Sequence, residues 1–343
     1  MNGAGKSTVI QSLLLILQSQ LNEVIPFNGS FLDLGAFKDV FFEFSDENDF
    51  SVKLAVDGEA YTWKAHELSG RQLELEDNTK RKRDFSGLEK LRKNFEYLCA
   101  ERWGPRAHLP LLNEGNLSNR LGMRGENAVQ ILDQLSKDTA RSVAKAFGQH
   151  DKRQHGQERS QNLLRNIDAW MSEISPGAKL NFKTYEDAAI GVTGFSFTSK
   201  SGASTANFRA SNVGFGLSYA QGIVIALICA KKGDVILIEN PEAHLHPRGQ
   251  SQLGRLMALA ACSGVQVIVE THSEHVLNGA RIIVRKGVLD FDDMNVMFIS
   301  RDDTLPESKI DFLKINEMGQ LETWPEGFFD QQALDMQTLI IGK

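Results

Sequence analysis

This 343-residue chain has little cysteine: its three, Cys99, Cys229 and Cys262, lie far apart with no C-x-x-C pair among them. A thiol-ligated zinc site and a dithiol redox motif are thereby excluded, and a reducing, cytoplasmic setting is the expectation. Net positive charge is also lacking, since 44 acidic side chains against 38 Lys and Arg leave a formal charge of −6. A uniformly basic nucleic-acid coat is excluded, and any contact with a polyanion has to be local. There is no long hydrophobic run either. The longest, Val9 to Leu21, is interrupted by Gln11, Ser12, Gln18, Ser19 and Gln20, so neither a signal peptide nor a membrane span is expected. Internal repeats and sustained heptads are missing, which excludes solenoids and long coiled-coil arms.

What is present begins at the first residues. Asn2-Gly3-Ala4-Gly5-Lys6-Ser7-Thr8 is most of a phosphate-binding loop, G-x-x-x-x-G-K-[ST], lacking its first Gly and the buried strand that would precede it. The sequence therefore predicts an α/β nucleotide-binding fold whose first strand lies upstream of Met1. Small residues let backbone N–H groups face phosphate oxygens, and the helix that follows adds its positive end. Lys6 supplies a point charge for the β- and γ-phosphates, and Ser7 a hydroxyl for Mg²⁺.

An apolar content of 41% supports a core domain with a substantial insertion. Ser7 to about Leu21 reads as a buried helix. Strand-like runs at Val40–Phe44, Phe50–Val56 and Tyr61–Trp63, punctuated by Asp46-Glu47-Asn48-Asp49 and Asp57-Gly58, predict an antiparallel meander. Residues 71–178 are charged and Gln-rich and read as a mostly helical insertion. Strand-like alternation returns at Leu180–Arg209. Helices at Tyr219–Ala230 and Gln250–Ala261 then alternate with apolar strands at Val235–Ile238 and Val265–Val269, the pattern of a parallel sheet. The expected division is 1–70 and 179–293 as two halves of the core, 71–178 as the insertion and 294–343 as an extension with strands near Asn295–Ile299 and Ile310–Ile315.

A phosphate loop needs an acidic partner at the end of an apolar strand, and Val235-Ile236-Leu237-Ile238-Glu239 supplies one. Asn240-Pro241-Glu242-Ala243-His244-Leu245-His246-Pro247 follows directly. One strand later, Glu270-Thr271-His272-Ser273 places an imidazole where it can donate to a γ-phosphate oxygen. Ser211-Asn212-Val213-Gly214-Phe215-Gly216-Leu217-Ser218 is a Gly- and Ser-bearing loop entering an apolar helix, whose N-terminus can approach phosphate closely.

With these four elements in this order, the chain resembles the ABC-type ATPases of the SMC-like and OLD-type (overcoming-lysogenization-defect) group, especially stand-alone bacterial ATPases with E-N-P-E-A-H-L-H-P and E-T-H-S motifs. Tyr97-Leu98-Cys99-Ala100-Glu101-Arg102-Trp103-Gly104-Pro105-Arg106 is a further look-alike segment. The resemblance implies an ABC-type P-loop fold and a head-to-tail homodimer. Two ATP molecules would lie between the phosphate loop of one copy and the loop of Gly214, Gly216 and Ser218 of the other. It also implies that Lys6 and Ser7 hold phosphate and Mg²⁺, that Glu239 is the metal-side acid and that His272 senses the γ-phosphate. Two departures stand out: Asn240 replaces the usual catalytic Glu, and the signature loop is G-F-G-L-S instead of L-S-G-G-Q. Asn orients water but cannot take its proton, a loss worth about 10²- to 10⁴-fold in rate, so hydrolysis is expected to be slow unless Glu242 or Glu270 substitutes.

The resulting expectation is an ATP-binding, slowly hydrolysing ATPase that regulates a separate effector, such as a nuclease, in bacterial anti-phage defence or genome maintenance. Two alternatives stay open: a nucleotide-binding scaffold without turnover, or a truncated copy; and a DNA clamp using Lys80-Arg81-Lys82-Arg83. A fused nuclease is not expected, because Asp290, Asp292, Asp293, Asp302 and Asp303 have no accompanying Glu-Gly motif and read as loop carboxylates.

Overall fold

The computed structural model describes residues 5–76, 83–112, 120–137, 145–301 and 307–342. The chain divides into two compact units: Met1–Phe95 with Met297–Phe312, and Glu96–Val296 with Leu313–Lys343. Residues Asn2, Gly3, Ala4, Lys80, Arg81, Lys82, Asp302 and Asp303 lie outside the described residues.

Unit one opens with α1 (Lys6–Gln18), whose apolar run buries Ile10 and Leu14–Leu17. After it come β1 (Val24–Pro26), α2 (Phe37–Val40), β2 (Asp49–Val56), β3 (Glu59–His66) and β4 (Gln72–Leu75). The strands form an antiparallel sheet in the order β1-β4-β3-β2, in which two of the three expected strands pair as the β2–β3 hairpin. Asp57 and Gly58 turn β2 into β3 with both residues at positive φ (50° and 87°). Two left-handed residues in a two-residue loop match the twist of paired strands, and Asp-Gly tolerates them. On β3 every second side chain, Tyr61, Trp63 and Ala65, is buried, as a pleated strand with one covered face requires. Arg92, on α3 (Ser86–Lys93), donates to the carbonyls of Ile16 (3.1 Å) and Leu21 (3.0 Å), satisfying an acceptor that the last turn of α1 leaves without an intrahelical partner.

The expected strand at Val40–Phe44 is not formed. Phe37 stacks on Phe41 one helical turn away (4.8 Å between centroids), and Asp39 accepts from the Ala36 N–H (2.8 Å), so α2 forms there; Phe42 and Phe44 are exposed.

Unit two contains a three-stranded sheet in the order β11-β10-β5, with β5 at Phe95–Leu98, β10 at Val235–Glu239 and β11 at Gln266–Glu270. β10 and β11 are parallel, in register from Val235↔Gln266 to Glu239↔Glu270, and α7 (Pro247–Cys262) makes the crossover. α6 (Phe215–Cys229) has eleven buried residues, because it is apolar on every face. A second, antiparallel sheet comprises β6 (Leu109–Pro110), β7 (Ala178–Tyr185), β8 (Ile190–Phe197) and β9 (Phe208–Arg209), as the alternation predicts. Residues 71–178 are less helical than their composition predicts. They hold α3, α4 (Ala128–Ser136) and α5 (Leu163–Ile174), but also β4, β5, β6 and turns at Gly122 and Gly125, both at φ 81°.

α7 and α8 (Glu274–Arg285) cross at close range. A Cβ on Gly254 would lie 2.0 Å from the Val276 carbonyl oxygen, and one on Gly279 2.2 Å from that of Ser251. Only glycine permits backbones this near. β12 (Val296–Arg301) and β13 (Ser308–Leu313) pair as a two-stranded sheet, and α9 (Gln331–Ile341) follows. Among the described residues, no helix is long and apolar enough to cross a membrane.

Glu96 on β5 accepts from the Leu121 N–H (3.2 Å) and lies 4.0 Å from Arg120. Burial nevertheless pushes its carboxyl up to about 7 from an ordinary 4.5. A carboxyl that binds its proton more tightly when folded loses stabilising effect as pH rises between those two values. Glu96→Gln is expected to remove that loss. Urea unfolding should show the variant gaining on the parent from pH 4.5 to 7.5, by roughly 3 kcal/mol at most.

Candidate nucleotide site

In unit one, Gly5 caps α1 in the left-handed region (φ 87°), and a Cβ there would stand 3.0 Å from the Ser308 hydroxyl. Its carbonyl accepts from the Thr8 N–H (3.1 Å) and starts the helix. Lys6 is the first helical residue, half-buried, while Ser7 and Thr8 lie exposed on the first turn. The glycine needed for the turn, the cation and the hydroxyl thus come at the positive end of a thirteen-residue helix.

In unit two, Glu239 ends β10 with both carboxylate oxygens engaged. The Tyr97 hydroxyl donates to Oε1 (3.1 Å) and the Ala100 N–H to Oε2 (3.0 Å). Burial, and then the Glu239 charge, raise the Tyr97 phenol above its ordinary range, so it stays a donor. Arg102, 3% exposed, fastens the chain behind the carboxylate. Its Nη1 donates to the carbonyls of Cys99 (2.9 Å) and Glu239 (2.5 Å), its Nη2 to that of Asn240 (2.8 Å), and its guanidinium lies 5.5 Å from the Tyr219 ring centroid. Sequence reasoning gave Tyr97–Arg106 no role. The signal was there, a Tyr on a strand followed five residues later by an Arg, but the pairing partner 137 residues away is visible only in the fold.

Asn240 adopts φ 44°, a left-handed conformation that Asn tolerates better than most residues, and its N–H donates to the Glu270 carbonyl (2.9 Å). Two residues on, Glu242 reaches across to the loop after β11. Its Oε2 accepts from the Thr271 hydroxyl (2.6 Å) and its Oε1 from the His272 N–H (2.7 Å). The structure thus joins Glu242 and His272, which sequence alone leaves 30 residues apart. Ser273 caps α8 and donates to Gln250 on α7 (2.5 Å), and the Gln250 amide donates to the Leu245 carbonyl (2.8 Å). The imidazole of His272 is exposed, and His246 caps α7 ahead of Pro247.

Gly214 caps α6 and is exposed. Gly216, in the first turn, is packed so tightly that a Cβ would meet the His244 carbonyl oxygen at 2.4 Å and the Leu245 side chain at 3.0 Å. His244 itself is left-handed (φ 61°), its ring 5.0 Å from Tyr219 and 5.5 Å from Phe215. Ser218 is half-buried one position after Leu217. Of the basic run, only Arg83 is described, and its Nη2 donates to the Glu76 carbonyl (2.8 Å). Asp290 accepts from the Asp292 N–H (3.0 Å) as an ordinary cap, and among the described residues no three His, Cys, Asp or Glu side chains gather as a metal site.

This geometry defines an α/β P-loop protein built like an SMC head. The Smc head bound to the C-winged helix domain of ScpA matches at TM-score 0.51 and 15% identity, covering 92% of this chain and 89% of that one. Lower scores come from the Smc head with an extended coiled coil from Pyrococcus furiosus (0.47; 12% identity; 99% and 92% covered) and the SMC head from Thermotoga maritima (0.41; 11%; 92% and 88%). At these identities the likeness speaks for the fold alone, and the 0.51 match carries it. The chain belongs to the family described as AAA domain, putative AbiEii toxin, Type IV TA system, whose model matches residues 1–278. A second model, described as a protein of unknown function (DUF3696), matches residues 289–339. No curated protein matches the chain.

Gly216→Ala tests the close seat of α6 on the His244 turn. With backbone oxygen as the obstacle, the substitution is expected to cost about 1–3 kcal/mol in denaturant unfolding, whereas Gly214→Ala, with open space around it, should cost under about 1 kcal/mol.

Proposed function

We propose that this protein is an ATP-binding, slowly hydrolysing ATPase of the ABC type that dimerises around nucleotide and thereby regulates a partner protein. The observation that carries the reading is Glu239: a carboxylate at the end of a buried parallel strand, oriented from both sides by Tyr97 and Ala100. A metal-side acid has to be held in one orientation by its supporting bonds, and these two hydrogen bonds hold Glu239 so. Each oxygen accepts one hydrogen bond and keeps a lone pair free. Mg²⁺ takes oxygen ligands, and this reading assigns it the Glu239 carboxylate and the Ser7 hydroxyl. When bound, the ion would neutralise charge on the β- and γ-phosphates.

In this reading Lys6 and the N–H groups at the start of α1 hold the phosphates, with Asn2, Gly3, Ala4, Gly5 and Thr8 completing the loop. His272 donates to the terminal phosphate, and Gly214, Gly216 and Ser218 face the nucleotide of a second copy. Asn240 orients water without accepting its proton. Glu242, held by the Thr271 hydroxyl and the His272 N–H, positions the His272 loop, and with Asn240 at the usual base position turnover is slow. A nucleotide-held dimer with long-lived ATP suits a switch on an effector, for which a separate nuclease is one candidate. The family's description as a putative toxin of a Type IV toxin–antitoxin system supports a defence role over housekeeping chemistry. Asn240 also favours a second reading, a scaffold that binds ATP without turning it over.

Binding of a fluorescent ATP analogue and steady-state phosphate release separate these readings. Lys6→Ala is expected to weaken binding at least about tenfold, and Glu239→Gln to keep most binding while lowering turnover by about 10²-fold or more. Turnover indifferent to Lys6→Ala overturns the enzymatic reading. Binding without any turnover assigns the scaffold.

A further inference from the structure

Unit one leaves three large apolar side chains in solvent at one end of its sheet: Phe42 is 43% exposed, Phe44 68% and Leu68 93%. Phe42 and Phe44 contact each other, with 5.7 Å between ring centroids. Leu68 sits in the short turn Glu67–Ser69 after β3, and two contacts bring that turn to the same end. The Phe37 N–H at the start of α2 donates to the Gly70 carbonyl (2.9 Å), and Asp49 at the start of β2 pairs with His66 at the end of β3. The other aromatics of this segment are spent internally, since Phe37 stacks on Phe41 (4.8 Å) and Phe50 (5.8 Å), and Phe50 on Phe27 (6.1 Å). Phe42 and Phe44 lie outside that stack. Apolar side chains grouped in water and rimmed by polar ones mark a surface that gains by being covered.

The rim states the charge of what covers it. Residues 39–49 carry Asp39, Glu43, Asp46, Glu47 and Asp49 with no Lys or Arg among them, and Glu67 adds a carboxylate next to Leu68. Asp39 caps α2 through the Ala36 N–H (2.8 Å). Glu43, Asp46, Glu47, Asp49 and Glu67 form no ion pair among the described residues. Lys64 lies near enough to Asp49 and Glu47 to feel their charge, but it is already paired with Glu76 at 3.0 Å.

We propose that this end of unit one docks a basic amphipathic segment of a partner protein, its apolar side chains on Phe42, Phe44 and Leu68 and its cations among Glu43, Asp46, Glu47 and Glu67. The rings supply contact area that costs little rotamer entropy, and the carboxylate rim supplies steering and selects the sign of the partner. The surface shares no residue with the nucleotide reading, and it stands whether or not Lys6 binds ATP.

Fluorescence anisotropy of a labelled Lys/Leu amphipathic helix peptide, titrated with the full chain, tests it; Lys/Ser and Glu/Leu peptides of the same length are the controls. Saturable binding of the Lys/Leu peptide is expected in the parent and in Lys6→Ala alike. It should weaken roughly tenfold or more in Phe42→Ser/Phe44→Ser, and likewise in Glu43→Gln/Asp46→Asn/Glu47→Gln. Every side chain replaced in these two variants is exposed, and far-UV circular dichroism checks that both are folded. Both control peptides are expected to bind at least about tenfold more weakly than Lys/Leu. Absence of saturable Lys/Leu binding, or unchanged affinity in either multiple variant, overturns the proposal. So does a Lys/Ser peptide that binds as tightly, because charge alone then suffices, or a Glu/Leu peptide that does, because the rim then selects nothing. Light scattering without peptide addresses the remaining occupant: self-association of the parent that both variants abolish assigns the face to the Lys80–Arg83 run of a second copy and overturns a separate partner, whereas scattering equal in parent and variants supports one.

Discussion

Arg102 is the constraint on which the candidate site depends. One buried guanidinium gathers the carbonyls of Cys99, Glu239 and Asn240, so the ends of two neighbouring strands, β5 and β10, are held by a single planar group. Lys could not do this, because its ammonium offers no rigid fork. Once the two strand ends are fixed, the Ala100 N–H and the Tyr97 hydroxyl fall into place around the Glu239 carboxylate. The geometry of the acid is thus inherited from the backbone, not from rotamer choice alone. Such second-layer support is what separates a positioned carboxylate from a merely present one.

A second layer of organisation runs through Glu242. Its carboxylate ties the turn after β10 to the loop after β11, and Ser273 with Gln250 repeats the tie one helix over. Asn240 and His244 take left-handed backbone conformations. Strained residues of this kind survive where surrounding bonds over-determine them, and the bonds to Glu270, Arg102 and Ala243 do so at Asn240.

Much of this was legible beforehand. The apolar strand ending in Glu239, the crossover through α7 and the edge bearing His272 follow from periodicity, since buried parallel strands are short apolar runs and crossover helices carry a 3.6-residue repeat. Asp57-Gly58 marks its own hairpin. Less legible was everything set by contacts distant in sequence. Tyr97 and Arg102 have meaning only through Glu239, Gly216 only through His244, and the engagement of Glu242 only through Thr271. The Val40–Phe44 strand failed for the converse reason: a local aromatic stack one turn apart outweighed β propensity, which depends on a sheet face to pack against. The helical reading of 71–178 rested on composition, which says little where glycines at positive φ set the path.

The near-contact of α7 and α8 through Gly254 and Gly279 carries a mechanical consequence. Helices separated by side chains can slide by repacking rotamers, but here main chain abuts main chain on both sides of the crossing, and sliding would drive carbonyl oxygens into α-carbons. The Pro247 end of one helix and the Ser273 end of the other therefore travel as one piece. Any signal that displaces the His272 loop must carry the E-N-P-E-A-H turn along with it, as a lever and not as a hinge.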